Sequence, residues 1–244
     1  MDRFGSSRLR IVWTLLALLL AGVLLGGLSR SADNAVTAFG APIPLATEDL
    51  TAYTADNLAR VAYTMVSAVI LFAGFFPMCD WMASSQAKDR YAGLFMGVGL
   101  AFLHGLFLSQ VAMFPVWAVC AKLTGSPFHR SVLNGDLSGL VLGLQLLLWG
   151  TLLSRLLKSN RGLALMLAFV MQGLGELVAY VGQFAPMLGF SERTGTVLTY
   201  ASHFFPVQGL PADGPSWTSL PLALGGPALL LAILLAFPAK GKKG

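Results

Sequence analysis

The chain has 244 residues, of which 56% are hydrophobic and 11% are charged, and its formal net charge is +5. Soluble domains carry about 25% charged residues, so this composition excludes an ordinary soluble fold and indicates a large surface in contact with lipid. The basic residues lie between long apolar segments, a pattern that is typical of membrane topology signals and argues against nucleic-acid binding.

Six apolar segments are long enough to cross a bilayer, for which about 20 helical residues are needed. We therefore predict an all-α, polytopic membrane bundle that forms a single transmembrane domain over residues 1–244. The predicted spans are residues 11–28, 61–78, 92–116, 137–157, 163–182 and 220–237, with outer connections at 29–60, 117–136 and 183–219.

The first span follows three arginines, Arg3, Arg8 and Arg10, as the apolar part of a signal peptide would. Its apolar run is long for a signal peptide, and no small-residue cleavage site follows closely, so we expect an uncleaved anchor. Before the second span, Thr47 and the acidic residues at the next two positions predict a helix start, because acidic side chains stabilise the positive end of a helix. This helix is expected to begin outside the bilayer and to continue into the second span.

Two later connections have distinct compositions. Pro127 and Asn134 are expected to interrupt helical structure between the third and fourth spans. The connection after the fifth span is rich in aromatic residues, which favours a position in the membrane interface. These aromatic residues are Phe184, Phe190, Tyr200, Phe204 and Phe205.

The distribution of basic residues predicts the orientation. With the amino terminus in the cytoplasm, 11 of the 16 Lys and Arg residues fall in inner segments and five in outer segments. Cytoplasmic connections carry an excess of basic residues, so both termini are expected in the cytoplasm, and the membrane is expected to be a bacterial inner membrane.

Polar residues inside the spans are the candidates for chemistry. Glu176 is the only acidic residue deep within a predicted span, where an ionisable group costs about 2.5 kcal/mol or more, so we expect it to face protein or water. Gln172, Tyr180 and Gln183 recur on the same helical face, and with His104 of the third span these residues are candidates for a substrate path. Glu176 has two possible roles, as a transport or proton-relay group or as a hydrogen-bonded carboxyl that locks two helices together. For His104 a packed, hydrogen-bonded role is favoured over metal binding.

No motif indicates an enzyme, a metal site or a bound cofactor. Cys79 and Cys120 belong to no CxxC or Cys/His cluster and are expected near opposite membrane faces. The chain has no GxxxxGK[ST] loop, so ATP hydrolysis would need a partner. Three GxxxG pairs, at residues 22–26, 93–97 and 139–143, predict close helix packing.

The organisation and two segments resemble a known family. LQLLLWGTLLSRLLKSNRGLALMLAFVMQ (residues 144–172) is an apolar span that ends in Ser and basic residues, followed by a short turn and a second span rich in small residues. LTYASHFFPVQGL (residues 198–210) precedes the last span. Together these features resemble the permease subunits of type-2, exporter-like ABC transporters. The DWMASSQAKDRYAG segment (residues 80–93) differs from the Glu-Gly-Thr-Leu and Pro-Val-Ser-Arg segments that are common in that class.

The resemblance implies a homodimer or heterodimer of permeases that is driven by a soluble ATP-binding subunit in trans. The ATPase would contact the two short cytoplasmic loops, whose candidate contact residues are Asp80, Lys88, Asp89, Arg90, Arg155, Lys158 and Arg161. Two other functions stay open: a non-transporting anchor or accessory subunit of a larger complex, and an ion-coupled carrier that uses Glu176. A membrane enzyme is the least favoured reading.

Overall fold

The computed structural model describes residues 7–30, 36–43, 50–83, 91–157 and 160–205, together with residues 221, 224, 225, 228, 229 and 232. Most of the described chain is helical, because long apolar runs must satisfy their backbone hydrogen bonds within the segment itself when lipid surrounds them. The elements are α1 (Ser7–Gly27), β1 (Leu28–Arg30), β2 (Val36–Ala38), β3 (Ala41–Ile43), α2 (Leu50–Ala83), α3 (Tyr91–Thr124), α4 (Arg130–Leu156), α5 (Arg161–Gln183) and α6 (Glu192–Ser202).

Five of these helices, α1 to α5, are long and apolar enough to cross a membrane. The predicted all-α, multi-pass membrane bundle is therefore confirmed. The predicted sixth span, residues 220–237, lies almost entirely outside the described residues, as do the predicted helix start at residues 47–49 and the basic residues at 240–243.

The centre of the bundle is a close contact between α2 and α4. Gly135 lies against the backbone of Ala59, where an added Cβ atom would overlap the carbonyl oxygen. Two further glycines of α4 repeat this contact at four-residue intervals, Gly139 against Tyr63 and Gly143 against Ile70. Glycine at such positions lets two helix backbones approach closely. The two helices run parallel, because successive contacts advance along both in the same direction.

The third helix packs on the other side of α2 in the antiparallel sense. Ile70 of α2 contacts Gly105 of α3, and Gly74 contacts Ala101. The GxxxG pair at Gly139 and Gly143 thus lies in a tight contact, whereas an added Cβ at Gly22 or Gly26 of α1 would meet nothing within 4 Å.

The two peripheral helices, α1 and α5, bury little of their surface. α1 packs along α3, where the Trp13 indole N–H donates to the Leu108 carbonyl at 3.0 Å and the Arg30 guanidinium donates to the carbonyl of Leu123. α5 buries small residues, among them Ala164 and Ala168, against the core of the bundle.

A small antiparallel sheet connects α1 to α2, in the strand order β1-β2-β3. Phe39 and Gly40 turn the chain between β2 and β3, with φ angles of 51° and 82°. Positive φ at both positions is typical of the tight turn that suits the twist of a hairpin. From the sequence, residues 29–60 were expected to be an outer connection, and no strands were predicted in it.

The connection predicted over residues 117–136 is mostly helical. α3 continues through Thr124 because its apolar pattern extends to Leu123, and α4 begins at Arg130 after Pro127. The His129 side chain accepts a hydrogen bond from the Ser131 backbone N–H at 3.3 Å and so caps α4. Asn134, predicted to break a helix, lies inside α4.

Candidate functional site

Two arginines mark the two ends of the span that α1 forms. Arg10 lies beside His104, halfway along α3, and Arg30 lies beside Leu123 near the end of α3. The chain between the two arginines extends about 30–35 Å along its axis, close to the thickness of a hydrocarbon core. Since α2 runs antiparallel to α3, the end of α2 at Asp80 lies on the Arg10 side.

The predicted polar stripe of α5 lies on the outside of the described chain. Glu176 is exposed, and its Oε1 accepts a hydrogen bond from Gln172 Nε2 at 3.1 Å. Tyr180 and Gln183, further along the same face, are exposed as well. Among the described residues the Glu176 side chain is therefore exposed, and the expectation that it faces protein or water stays a prediction.

The reason for this placement lies in the buried face of α5. That face consists of the small buried residues Ala164, Ala168, Gly175 and Gly182, of which Ala164 and Ala168 pack into the core of the bundle and Gly182 packs against α6. At about 100° per residue, the Glu176 stripe is rotated by about 100° from it and points away from the core. Glu176 is nevertheless about 10 Å from the nearer end of α5, so its carboxyl lies at membrane depth.

The stripe continues into a groove between α5 and α6. The groove has a volume of about 500 Å³ and is lined by Gln183 together with Glu192, Thr196 and Thr199 of α6. α6 approaches α5 closely because Gly182 leaves room for Thr199, whose hydroxyl would stand 2.7 Å from an added Cβ. Polar groups therefore run without interruption from Gln172 to the end of α5 and onto α6.

After α6 the chain folds back onto the middle of α4. The Trp149 indole N–H donates to the Phe204 carbonyl at 2.9 Å, and Gln145 Nε2 donates to the Phe205 carbonyl at 3.2 Å. The Trp149 and Phe205 rings are stacked, with centroids 6.2 Å apart and planes 4° apart. Gln145 is about 22 Å along α4 from Arg130. Residues 203–205 therefore lie beside the middle of α4, and the interfacial position expected for this aromatic connection stays a prediction.

A buried backbone carbonyl is stable only where protein or water donates a hydrogen bond to it. The side chains of Gln145 and Trp149 do this for the two carbonyls of the returning segment. Sequence reasoning missed both residues. The available signal was Gln145 itself, since an amide inside the apolar run LGLQLLLWG must find a partner.

A second pair of polar residues was also missed. Asp136 was assigned to the outer connection 117–136, but it lies inside α4 at 8% exposure, and its Oδ1 accepts a hydrogen bond from Gln110 Nε2 of α3 at 2.9 Å. Glu176 is therefore not the only acidic residue in a span. Ser138, half a turn later, has a buried hydroxyl with no hydrogen-bond partner among the described residues.

His104, the remaining substrate-path candidate, is separate from the α5 stripe. It is buried at 7% exposure, and its Nδ1 lies 3.3 Å from Nη2 of Arg10. The Arg10 guanidinium also lies over the Phe107 ring, 5.9 Å from its centroid. A hydrogen-bonded His104 was expected from the sequence. Its partner was not, because Arg10 was considered only as a basic residue that sets the membrane orientation.

The first residues of one predicted cytoplasmic loop lie close to both ends of the other. Arg161, at the start of α5, forms a salt bridge of 2.6 Å with Asp80 near the end of α2. Cys79 lies beside this pair, with its thiol 3.5 Å from the hydroxyl of Ser154, which precedes Arg155 in the last turn of α4. The other predicted ATPase contacts, residues 88–90 and 158, lie outside the described residues.

No family model, no curated protein and no solved structure matches this chain.

Proposed function

We propose that the chain is a permease subunit that works as a dimer, with its translocation path between the two copies along α5. The observation that carries this proposal is the polar track from Gln172 through Glu176 and Tyr180 to the groove at Gln183. A purely anchoring helix gains nothing from a carboxyl exposed at membrane depth, where it costs about 2.5 kcal/mol or more. A path for a polar substrate requires such groups.

A second copy of the chain suits the Glu176 face better than the predicted sixth span of its own chain. Residues 220–237, the predicted sixth span, contain no side-chain hydrogen-bond donor, so they cannot satisfy a carboxylate or an amide. A second α5 offers the Gln172 amide and the Tyr180 hydroxyl. Because Gln172 and Glu176 are donor and acceptor on one face, the surface is self-complementary, as a two-fold interface requires.

The energy for transport is proposed to come from a soluble ATPase, as the resemblance to type-2 ABC permeases implies. The Asp80–Arg161 bridge supports one docking surface instead of two separate loops, because it holds the end of α2 against the start of α5. A subunit bound there would act directly on α5. In this proposal both termini face the cytoplasm of a bacterial inner membrane, as the 11 to five distribution of basic residues indicates.

The first experiment tests the dimer. Glu176→Cys in membranes should crosslink two copies with a short bifunctional maleimide. Leu174→Cys is the matched control, since Leu174 is also exposed on α5 but lies about 160° around the helix from Glu176. Equal crosslinking at both positions, or none at position 176, would show that the Glu176 face does not meet a second copy.

The second experiment tests the energy source. A cysteine at Gln86 or Ser159 should crosslink to a nucleotide-binding subunit that is co-expressed from the same genome, whereas one at Gly195 should not. If mild-detergent purification yields no such subunit and neither loop crosslinks, the ATP-driven permease is excluded.

An ion-coupled carrier is the second candidate, and the Gln172–Glu176 pair at membrane depth favours it. In that case Glu176→Gln would abolish ion-dependent uptake into vesicles, no ATPase would be recovered, and expression would be unchanged.

A further inference from the structure

A second candidate site lies between α1, α2 and α3. It is a cavity of about 340 Å³, at the lower end of the range of small-molecule pockets. Every residue that lines it is apolar or aromatic, and none belongs to the polar track on α5. The lining residues are Trp13, Ala68, Val69, Phe72, Ala73 and Leu108.

A cationic group lies at one end of this cavity. Arg10 precedes Trp13 by one turn of α1, and His104 precedes Leu108 by one turn of α3, so the guanidinium is about 5 Å from the cavity wall along the helix axes. Arg10 is exposed, and its contact with His104 uses one of the five N–H donors of a guanidinium.

Arg10 also lies at the level where the hydrocarbon region ends. It starts the 30–35 Å segment that Arg30 closes, and the first ten residues of the sequence hold three arginines and one acidic residue. A cation at a membrane boundary next to an apolar cavity matches, in both charge and depth, a molecule with an anionic head and a hydrocarbon tail.

We propose that this cavity binds one anionic phospholipid of the leaflet on the amino-terminal side. Its phosphate accepts hydrogen bonds from Arg10, and one acyl chain lies in the cavity between Trp13 and Phe72. Arginine suits the phosphate because its planar group donates two parallel hydrogen bonds. His104 positions Arg10 from the buried side, and the Phe107 ring supports the guanidinium by a cation–π contact. The lipid would then hold α1, whose described packing is mainly with α3, against α2.

The test uses the full chain in nanodiscs that contain equal amounts of phosphatidylglycerol and phosphatidylcholine with identical acyl chains. Lipids that remain bound after release are counted by native mass spectrometry. We expect the wild-type protein to retain phosphatidylglycerol about tenfold over phosphatidylcholine, because both lipids carry a phosphate but the choline cation of the second repels Arg10 and offsets the phosphate charge. Arg10→Gln should remove the preference, and Arg10→Lys should keep part of it.

Two further variants separate the cavity from general surface charge. Ala73→Leu fills the cavity and should reduce the retention of both lipids, whereas Arg193→Gln, which removes an exposed arginine from α6, should change neither. Glycerol phosphate, a head group without chains, should not compete. The melting temperature of each variant checks that it is folded.

The proposal is overturned if folded Arg10→Gln retains phosphatidylglycerol like the wild type or if Arg193→Gln lowers it equally. Loss in Arg10→Gln without any loss in Ala73→Leu would also overturn it, because the cavity would then be empty of lipid.

Discussion

The contact between α4 and the returning segment can be weakened at a single atom. Trp149→Phe removes the indole N–H that donates to the Phe204 carbonyl at 2.9 Å and keeps an aromatic ring beside Phe205. A hydrogen bond contributes about 0.5–1.5 kcal/mol net, and a buried carbonyl left without a donor costs about 1–3 kcal/mol. We therefore expect the attachment of residues 203–205 to weaken by about 1–2 kcal/mol. This change raises the detached population about 5–30-fold.

Accessibility of a cysteine at position 202 measures that population. Ser202 is buried at 1% exposure directly before the segment, so Ser202→Cys should react slowly with a water-soluble maleimide in the wild-type background. Trp149→Phe should raise the rate about 5–30-fold if the segment opens as a unit. Peptide mass spectrometry separates this signal from labelling of the two native cysteines, which are both buried.

Two comparisons make the result decisive. Trp117→Phe replaces a tryptophan whose ring is tilted against that of Phe128, away from the segment. It should leave the labelling rate unchanged. Gln145→Leu, added to Trp149→Phe, removes the second donor and should raise the rate further. If the double variant labels at the wild-type rate, the two hydrogen bonds do not hold the segment and the reasoning is refuted.

Three other predictions follow from the described contacts. Gly135→Ala should lower the free energy of unfolding by at least about 1–3 kcal/mol, because its Cβ would overlap the Ala59 backbone. Gly99→Ala on α3 is the control and should not lower it, because the space around Gly99 is open. Asp80→Asn should cost less than about 1 kcal/mol in a melting experiment, since the bridge to Arg161 is partly exposed, and the loss should disappear in high salt. Burial lowers the pKa of His203, so the unfolded chain binds its proton more readily. The labelling rate of Ser202→Cys, divided by that of the same cysteine in the His203→Gln background to cancel the loss of reactive thiolate at low pH, should therefore rise as the pH falls below about 6.5.

The helical membrane architecture could be read from the sequence because hydrophobic length is a direct physical requirement of the bilayer. Residues that must lie in hydrocarbon have to be apolar over about 20 positions, and α4 and α5 follow that rule without ambiguity. Helix ends were less predictable, because they depend on particular caps. His129 caps α4 with its side chain, a role that ring chemistry permits but that composition does not indicate.

The direction in which Glu176 points could not be predicted from its own segment. Periodicity placed Gln172, Glu176 and Tyr180 on one face, but which face packs inward depends on the fit of small residues against another helix. Ala164 and Ala168 decide this for α5, and their role becomes visible only when the opposing surface is known. In the same way, Gln145 and Trp149 acquire their function from two carbonyls that are about 60 residues away in the chain.

The glycine contacts between α2 and α4 determine where this molecule can move. With Gly135, Gly139 and Gly143 seated directly on the α2 backbone, sliding of either helix by even one residue would drive side chains into main-chain atoms. We therefore expect α2 and α4 to move together as one rigid unit. Among the five spanning helices, α1 and α5 bury the least of their surface, so we expect a functional rearrangement to involve them. The described helices thus divide into a rigid pair, α2 and α4, and two peripheral helices, α1 and α5, that are freer to move.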